Sequence, residues 1–355
     1  MAELRAAGLD PVAEEGGAAV EIASDRLRSL VSRSRVASRV LVRVASGGWR
    51  DPAAISRLLS ELPWAWWPQR VPLDVRWAVH GVRSEQGAWL RHEVDRQLQP
   101  YATSAAGGES LALLFRVEGA RLQVSADASG RAMHLRGWRT EQGEAPLRET
   151  IAAALLLAVG YDGSQTLWDP MCGSGTIAIE AATWQLPAHW RPWAVDGWAL
   201  DGGQDAHSAM ASGASSPEIV AGDLDPAVVE VARRNAERAG VPDRITWIQA
   251  EIGAQRGDRA APQCVVVNPP WGHRLGKRNE VRRLFERLGA VLVRDAAGAR
   301  AAVLAPEPQL ARELPLLEAQ VTPLDCGGIT LWLATGTISY RSGPPAKQRS
   351  AGRRP

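Results

Sequence analysis

The chain is poor in the features that most quickly give a function away. It has three cysteines in 355 residues, Cys172, Cys264 and Cys326, far apart in sequence. Such spacing excludes a disulfide framework and a cysteine-based zinc site, and it suits a reducing cytosol. The six histidines form no Cys/His group with metal-ligand spacing, so no metal is expected. No apolar run reaches bilayer-spanning length, and the N-terminus lacks a signal-peptide pattern. The expectation is a cytoplasmic chain with no membrane partner. Net charge is also scarce, at +2 from 41 Lys+Arg and 39 Asp+Glu. That excludes a chain that holds nucleic acid by bulk charge alone. Phenylalanine and tyrosine are nearly missing, with two and three copies, while tryptophan has fifteen. Tryptophan is therefore read as the default large aromatic for packing, not as fifteen stacking platforms.

What is present is an ordinary globular composition, 45% hydrophobic and 23% charged, with a length that accommodates two domains. Charge is unevenly spread. Residues 1–150 carry 20 basic and 18 acidic side chains, which is flat, whereas 271–300 carry 8 and 3. From Arg341 onward there are 5 basic residues and no acidic one, read as a disordered tail over 341–355. A basic strip at 271–300 fits either a solvated helix face or the steering of a phosphate backbone.

No internal repeat is visible. Across 1–135, strands are expected at 19–23, 40–44, 73–79, 111–117 and 120–126, with helices at 25–38, 51–61 and 85–98. Glu118-Gly119 is the turn between the last two strands. This is an α+β pattern with helices on one face of a sheet. Residues 136–147 are polar and basic and read as a linker. From 148 to 340 the pattern becomes α/β. Helices are expected at 147–159, 176–184 and 226–239. Strands are expected at 166–168, 218–221, 245–249, 264–267, 301–304 and 329–334, and 186–216 reads as an insertion rich in Trp, Pro, Gly and Ser. Strands alternating with helices predict a mostly parallel sheet covered on both faces.

Two loops in this half carry chemistry. Asp169-Pro170-Met171-Cys172-Gly173-Ser174-Gly175-Thr176 follows a strand and opens a helix. Its glycines let backbone approach a ligand closely, and the helix start offers free N–H groups to a carboxylate. The spacing is not that of the dinucleotide fingerprint. Two acids follow the next two strands. Asp223 is placed to accept both hydroxyls of a ribose, with Asp225 the better cap for the helix at Pro226. Glu251 is placed to accept a proton from an adenine amino group. The second loop, Asn268-Pro269-Pro270-Trp271, ends the strand Cys264–Val267. An amide, rigid proline carbonyls and an aromatic ring are suited to gripping a planar exocyclic amine. Arg274, just beyond, is placed to meet a phosphate or a base edge. Together the loops suggest methyl transfer from S-adenosylmethionine to a planar NH2 group.

Residues from about 130 to 340 resemble the THUMP-containing class I RNA methyltransferases, most closely the bacterial guanine-N2 methyltransferases of 23S rRNA and their tRNA relatives. The matching stretches are 134–139, 145–150, 169–176, 222–226 and 268–276. The resemblance implies a Rossmann-like class I methyltransferase domain preceded by an α+β ferredoxin-like and THUMP RNA-binding region. It implies S-adenosylmethionine as cofactor, its methionine part at Asp169 to Thr176, its ribose at Asp223 with Leu224 alongside, and its adenine at Glu251. Glu149 and Thr150 would lie beside the cofactor, and the target amine at Asn268, Pro269, Pro270 and Trp271. Structured RNA is the implied partner, with Arg274, Arg136 and Arg139 as its candidate contacts. The family usually has a strand and most of a helix ahead of the point that is Met1 here, so a shortened or misassigned start is expected. Asn-Pro-Pro-aromatic loops also serve adenine-N6 and protein glutamine methyltransferases, and a non-catalytic RNA-binding or ribosome-assembly factor on the same fold is a third alternative.

Overall fold

Prolines, glycines and capping side chains punctuate the chain into two sets of elements. The computed structural model describes residues 1–68, 72–102, 110–141, 147–186, 192–200, 217–270 and 278–340. They belong to two units: Met1–Leu135 with Arg191–Ala209, and Arg136–Trp190 with Met210–Pro355.

The first unit opens with α1 (Ala2–Ala6), the small antiparallel hairpin β1 (Val12–Glu14) and β2 (Gly17–Ala19), and α2 (Leu27–Arg33). The hairpin precedes the strand expected at 19–23, and α2 is shorter than the helix expected at 25–38. The four-stranded sheet is made by β3 (Leu41–Gly48), β4 (Leu73–His80), β5 (Leu111–Glu118) and β6 (Arg121–Asp127), in the order β3-β6-β5-β4. Both β6 pairings are antiparallel and β4 runs parallel to β5. Parallel strands need a crossover, and α4 (Ser84–Leu98) supplies it. Between β3 and β4, α3 (Pro52–Ser60) begins where Asp51 accepts from the Ala54 amide at 2.8 Å, with proline in the first turn. Alternation along β5 and β6 sends Leu113, Phe115, Val117, Leu122, Val124 and Ala126 into the core. Ile55, Leu58 and Leu59 of α3 and Leu90, Val94 and Leu98 of α4 are buried too.

The tryptophan-rich insertion sends residues 192–200 into this first unit. The Val195 amide donates to the Ala128 carbonyl at 3.0 Å, and the Ala199 amide to Trp66 at 2.7 Å. Arg28 donates to the Trp198 carbonyl at 2.6 Å, and the Trp198 ring meets Trp67 edge-on at 5.9 Å. Trp49, Trp67, Trp193 and Trp198 are all buried, as packing residues are.

The second unit is built on a seven-stranded sheet of β7 (Leu167–Asp169), β8 (Ile219–Asp223), β9 (Ile245–Gln249), β10 (Cys264–Val267), β11 (Arg300–Ala305), β12 (Leu316–Asp325) and β13 (Thr330–Ile338). Its order is β12-β13-β11-β10-β7-β8-β9. Every strand runs parallel except β13, which pairs antiparallel with both β11 and β12. Around it lie α5 (Glu149–Ala158), α6 (Thr176–Ala182), α7 (Pro226–Arg238), α8 (Arg278–Asp295) and α9 (Pro308–Glu313). Cys264 and Val266 pack with α5 and α6 residues, whereas Val265 and Val267 pack with Val281, Phe285 and Leu288 of α8. Both sheet faces are therefore covered, and β10 is buried throughout. This is the mostly parallel, Rossmann-like sheet that the sequence implied. The chain runs from β7 outward to β8 and β9, then returns to β10 on the other side of β7. The crevice at such a switch point, beyond the carboxyl ends of the strands, is where open α/β sheets bind ligands.

Two further features differ from expectation. Strand β12 was not anticipated, because most of its side chains are exposed and it contains Pro323. An edge strand tolerates both, and the bulge at Glu318, with φ of 53°, bends it further. The segment read as a linker is packed where it is described. Trp138 is buried, and Arg136 pairs with Glu180 of α6 at 3.2 Å with both side chains fully inaccessible. Its polar composition concealed that its charges have partners inside.

Replacing Arg136 by Ala removes a guanidinium from a buried carboxylate. It should lower the unfolding free energy by about 3 kcal/mol or more, measured by urea denaturation; a linker arginine in solvent would change it by under about 0.5 kcal/mol.

Candidate active site

Strand β7 pairs with β10 in the register Cys264↔Leu167 and Val265↔Trp168. This places the loop after Asp169 beside the turn that begins at Asn268. The glycine loop is shaped from within. Gly173 and Gly175 have φ of 53° and 86°, a region that disfavours any side chain. At Gly175 a Cβ would also lie 2.8 Å from Trp247 and 3.0 Å from Ala232, so the loop could not pack against α7 and β9. At Gly173 a Cβ would meet nothing within 4 Å, which leaves open space above the backbone. The Gly175 amide returns to the Cys172 carbonyl at 2.9 Å, and the Cys172 amide bonds Gly222 of β8 at 2.9 Å.

Asp223 ends β8 and ties the loop to its own turn. It accepts from the Gly173 amide at 3.1 Å and from the Asp225 amide at 3.1 Å. Asp225, not Asp223, caps α7 by accepting from Ala227 at 2.9 Å. Leu224 stands 66% exposed between them, an unusual place for a leucine.

Asp169 is fully buried and neither carboxyl oxygen has a hydrogen-bond partner of good geometry. Burial pushes its carboxyl well above the ordinary range, the Met171 amide pulls it down and Asp223 adds to the rise. A buried carboxyl in this condition is costly, and a bound ammonium would satisfy it. The amino acid part of S-adenosylmethionine carries such an ammonium. Pro170, Cys172, Ser174 and Thr176 are buried along the same loop, and Met171 is partly so.

Glu149 and Thr150 are buried at the start of α5. Arg139 donates to Glu149 at 2.8 Å and to the Leu147 carbonyl at 2.6 Å. Burial pushes the Glu149 carboxyl from 4.5 to about 7, against the attraction of Arg139. Arg136 and Arg139, expected at the RNA, are instead inward-facing ion-pair partners of Glu180 and Glu149.

Glu251 follows β9 and is engaged on both oxygens. One accepts from the Gly253 amide at 3.0 Å, which caps a short turn, and the other pairs with Arg287 of α8 at 2.8 Å. Asn268 and Pro270 are partly exposed at the end of β10, with Pro269 buried between them. Trp271 and Arg274 lie outside the described residues.

Two site residues escaped sequence reasoning. Gln255 is buried and donates to the carbonyls of Pro170 and Ala250, while accepting from the Trp168 indole. Asn235 is buried and donates to the carbonyl of Ser174. A signal for Asn235 existed: it sits on the stripe of α7 that buries Val229, Ala232 and Ala236, where an amide needs a partner. No motif or periodicity marks Gln255.

Among the described residues there is no group of three or more His, Cys, Asp or Glu that could hold a metal, and no helix long and apolar enough to cross a membrane.

A glycine loop after the central strand, a carboxylate after the next and a switch-point crevice define a Rossmann-like methyltransferase domain. Residues 136–320, just over half of the chain, match the model of the RMKL-like methyltransferase domain family, and the chain belongs to that family. Its activity is S-adenosylmethionine-dependent methyl transfer. The chain is similar to SMU.472, solved in complex with SAH, at 21% identity and a TM-score of 0.77 over 95% of this chain and 94% of that one. A Listeria monocytogenes protein described as a predicted N6-adenine-specific DNA methylase is similar at 24% identity and a TM-score of 0.73, over 95% and 92%. TrmN from Thermus thermophilus is similar at 20% identity and a TM-score of 0.65, over 86% and 84%. At these identities the likeness is one of fold.

Glu149 gives a pH test. Its folded value lies above its ordinary one, so it favours folding fully below about 4.5, and that contribution is lost as pH rises through about 7. The unfolding free energy of the cofactor-free chain, relative to Glu149→Gln, should therefore fall between pH 5 and 7.5 by up to about 3 kcal/mol. Urea titrations of both proteins across that range check it.

Proposed function

We propose that this methyltransferase acts on the exocyclic N2 amine of a guanine in structured RNA, with 23S rRNA as the favoured substrate and tRNA next. The observation that carries the reading is the pairing of β7 with β10, which sets a glycine loop with an unsatisfied carboxyl beside an Asn-Pro-Pro turn. The cofactor supplies an electrophilic methyl group. Asp169 would hold its ammonium, Gly173 to Thr176 its carboxylate, Asp223 its ribose hydroxyls and Leu224 one face of its adenine. Glu149 and Thr150 would line the pocket. Glu251 would meet the adenine amino group with a lone pair that Gly253 and Arg287 leave available.

The acceptor amine is a weak nucleophile because its lone pair is delocalised into the base. The side-chain oxygen of Asn268 and the carbonyl of Pro269 would each accept one N–H, fixing the amine and offsetting charge as it becomes tetrahedral. Pro270 stiffens the turn, and Trp271 would stack on the base, worth roughly 1–3 kcal/mol. A paired base cannot enter such a site, so the guanine must be flipped out or already unpaired. Arg274 would meet a flanking phosphate. The first unit serves in this reading as a THUMP-like RNA-capturing region that recognises shape and backbone. The sheet face turned away from α3 and α4 carries Arg43, Arg76, Arg116 and Arg121, each bonded to a neighbouring acid or hydroxyl that an RNA phosphate can displace. Adenine-N6 is the second reading, favoured by the description of the Listeria neighbour.

Nucleoside mass spectrometry of rRNA and tRNA from cells lacking the gene separates the readings. Loss of N2-methylguanosine is expected; unchanged N2-methylguanosine in every fraction, or loss of N6-methyladenosine instead, defeats the guanine assignment. In the purified enzyme, Asn268→Ala should slow methyl transfer by about 10²–10³ while leaving S-adenosylhomocysteine binding intact. Asp223→Ala should abolish that binding.

A further inference from the structure

We propose that Gln255 and Asn235 are positioning residues for cofactor binding: two buried amides that hold the glycine loop open at its two ends without touching the ligand. The inference rests on reading that loop as the cofactor cradle. Loops that approach a ligand through bare backbone have no side chains with which to brace themselves. This one is braced from below.

Gln255 holds its beginning. Its Nε2 donates to the Pro170 carbonyl at 3.0 Å and to the Ala250 carbonyl at 3.1 Å, and its Oε1 accepts from the Trp168 indole at 3.2 Å. One side chain thus joins the last residues of β7, the first turn of the loop and the segment after β9. Its fit is tight, because a Cβ on Gly222 would lie 2.4 Å from the Gln255 amide carbon. Asn235 holds the end of the loop. Its Nδ2 donates to the Ser174 carbonyl at 3.1 Å and to the Glu141 carbonyl at 3.3 Å, while its Oδ1 accepts from Arg238 at 3.0 Å. Between them, Asp223 holds the Gly173 amide. The two side chains are 2% and 0% exposed, so neither competes with water for its partners.

The consequence is a division of labour. The amides grip carbonyls, Asp223 and the Cys172 carbonyl hold the N–H groups of Gly173 and Gly175, and those of Ser174 and Thr176 are left for a ligand. Removing an amide lets a carbonyl relax, and the cradle then has to be ordered at the moment of binding. That cost falls on affinity.

Calorimetric titration of the full chain with S-adenosylhomocysteine tests this on Gln255→Met and Asn235→Leu, both close in size to the originals. Each should raise Kd by about tenfold or more with a stoichiometry of one retained. Hydrogen exchange at the amides of Gly173 and Gly175 should be faster in both variants in the absence of ligand. An unchanged Kd, or a stoichiometry that falls in step with a lowered melting temperature while Kd holds, overturns the proposal. So does failure of both variants to fold, because the amides would then be holding the unit and not the loop. Asp223→Asn is the control. If it binds as the unsubstituted protein does, the cradle reading fails. If it alone loses binding, the cradle stands and only the role of the amides falls.

Discussion

The pairing of β7 with β10 is the constraint from which the rest of the second unit follows. Two strands distant in sequence run side by side in the same direction, and both end at the same level of the sheet. In the proposed reading, this arrangement brings the glycine loop and the Asn-Pro-Pro turn to the same edge of the sheet. The apolar residues of β10 are distributed to both faces, so the strand is fixed by helices on either side. The proline-rich turn that follows it inherits that rigidity.

Around this crevice the protein has buried more charge than its composition suggests. Arg136 with Glu180, Arg139 with Glu149 and Glu141 with Arg234 and Arg238 attach one stretch of chain to α6, α5 and α7 in turn. The first two pairs are buried and the Glu141 pairs are partly exposed; a buried pair gives up hydration for close geometry, so it specifies an arrangement more than it adds stability. The three helices so joined border the glycine loop. Asp169 is the exception, its burial offset only by the Met171 amide. In the proposed reading, surplus desolvation cost at this one carboxyl marks the place of the cofactor's ammonium.

Much of this was legible in the sequence, for reasons that can be stated residue by residue. Strands Ile245–Gln249 and Cys264–Val267 were placed at their observed ends because short apolar runs between turn residues have few alternatives. The capping role of Asp225 followed from its position before Pro226. What was not legible depends on partners distant in sequence. Polar residues at 136–141 look alike whether they face water or buried acids, and only the fold brings Glu180 and Glu149 to them. The exposed pattern of β12 has no inward stripe to read, since an edge strand is held by its hydrogen bonds to β13. Gln255 gives no signal because its role depends on the strand and the two loops that converge on it.

The excursion through residues 192–200 carries a consequence for how the gene can be divided. The chain leaves the second unit after α6, contributes Trp193 and Trp198 to the first, and returns to complete β8. A cut at residue 136, the obvious place to separate two modules, would strand those indoles on the wrong fragment. The amino-terminal piece would keep Ala128 and Trp66 without the backbone they bond, and Trp67 without its ring partner. Modular by contact yet interlaced along the polypeptide, this enzyme is poorly suited to exchange of its front end by simple recombination at a seam.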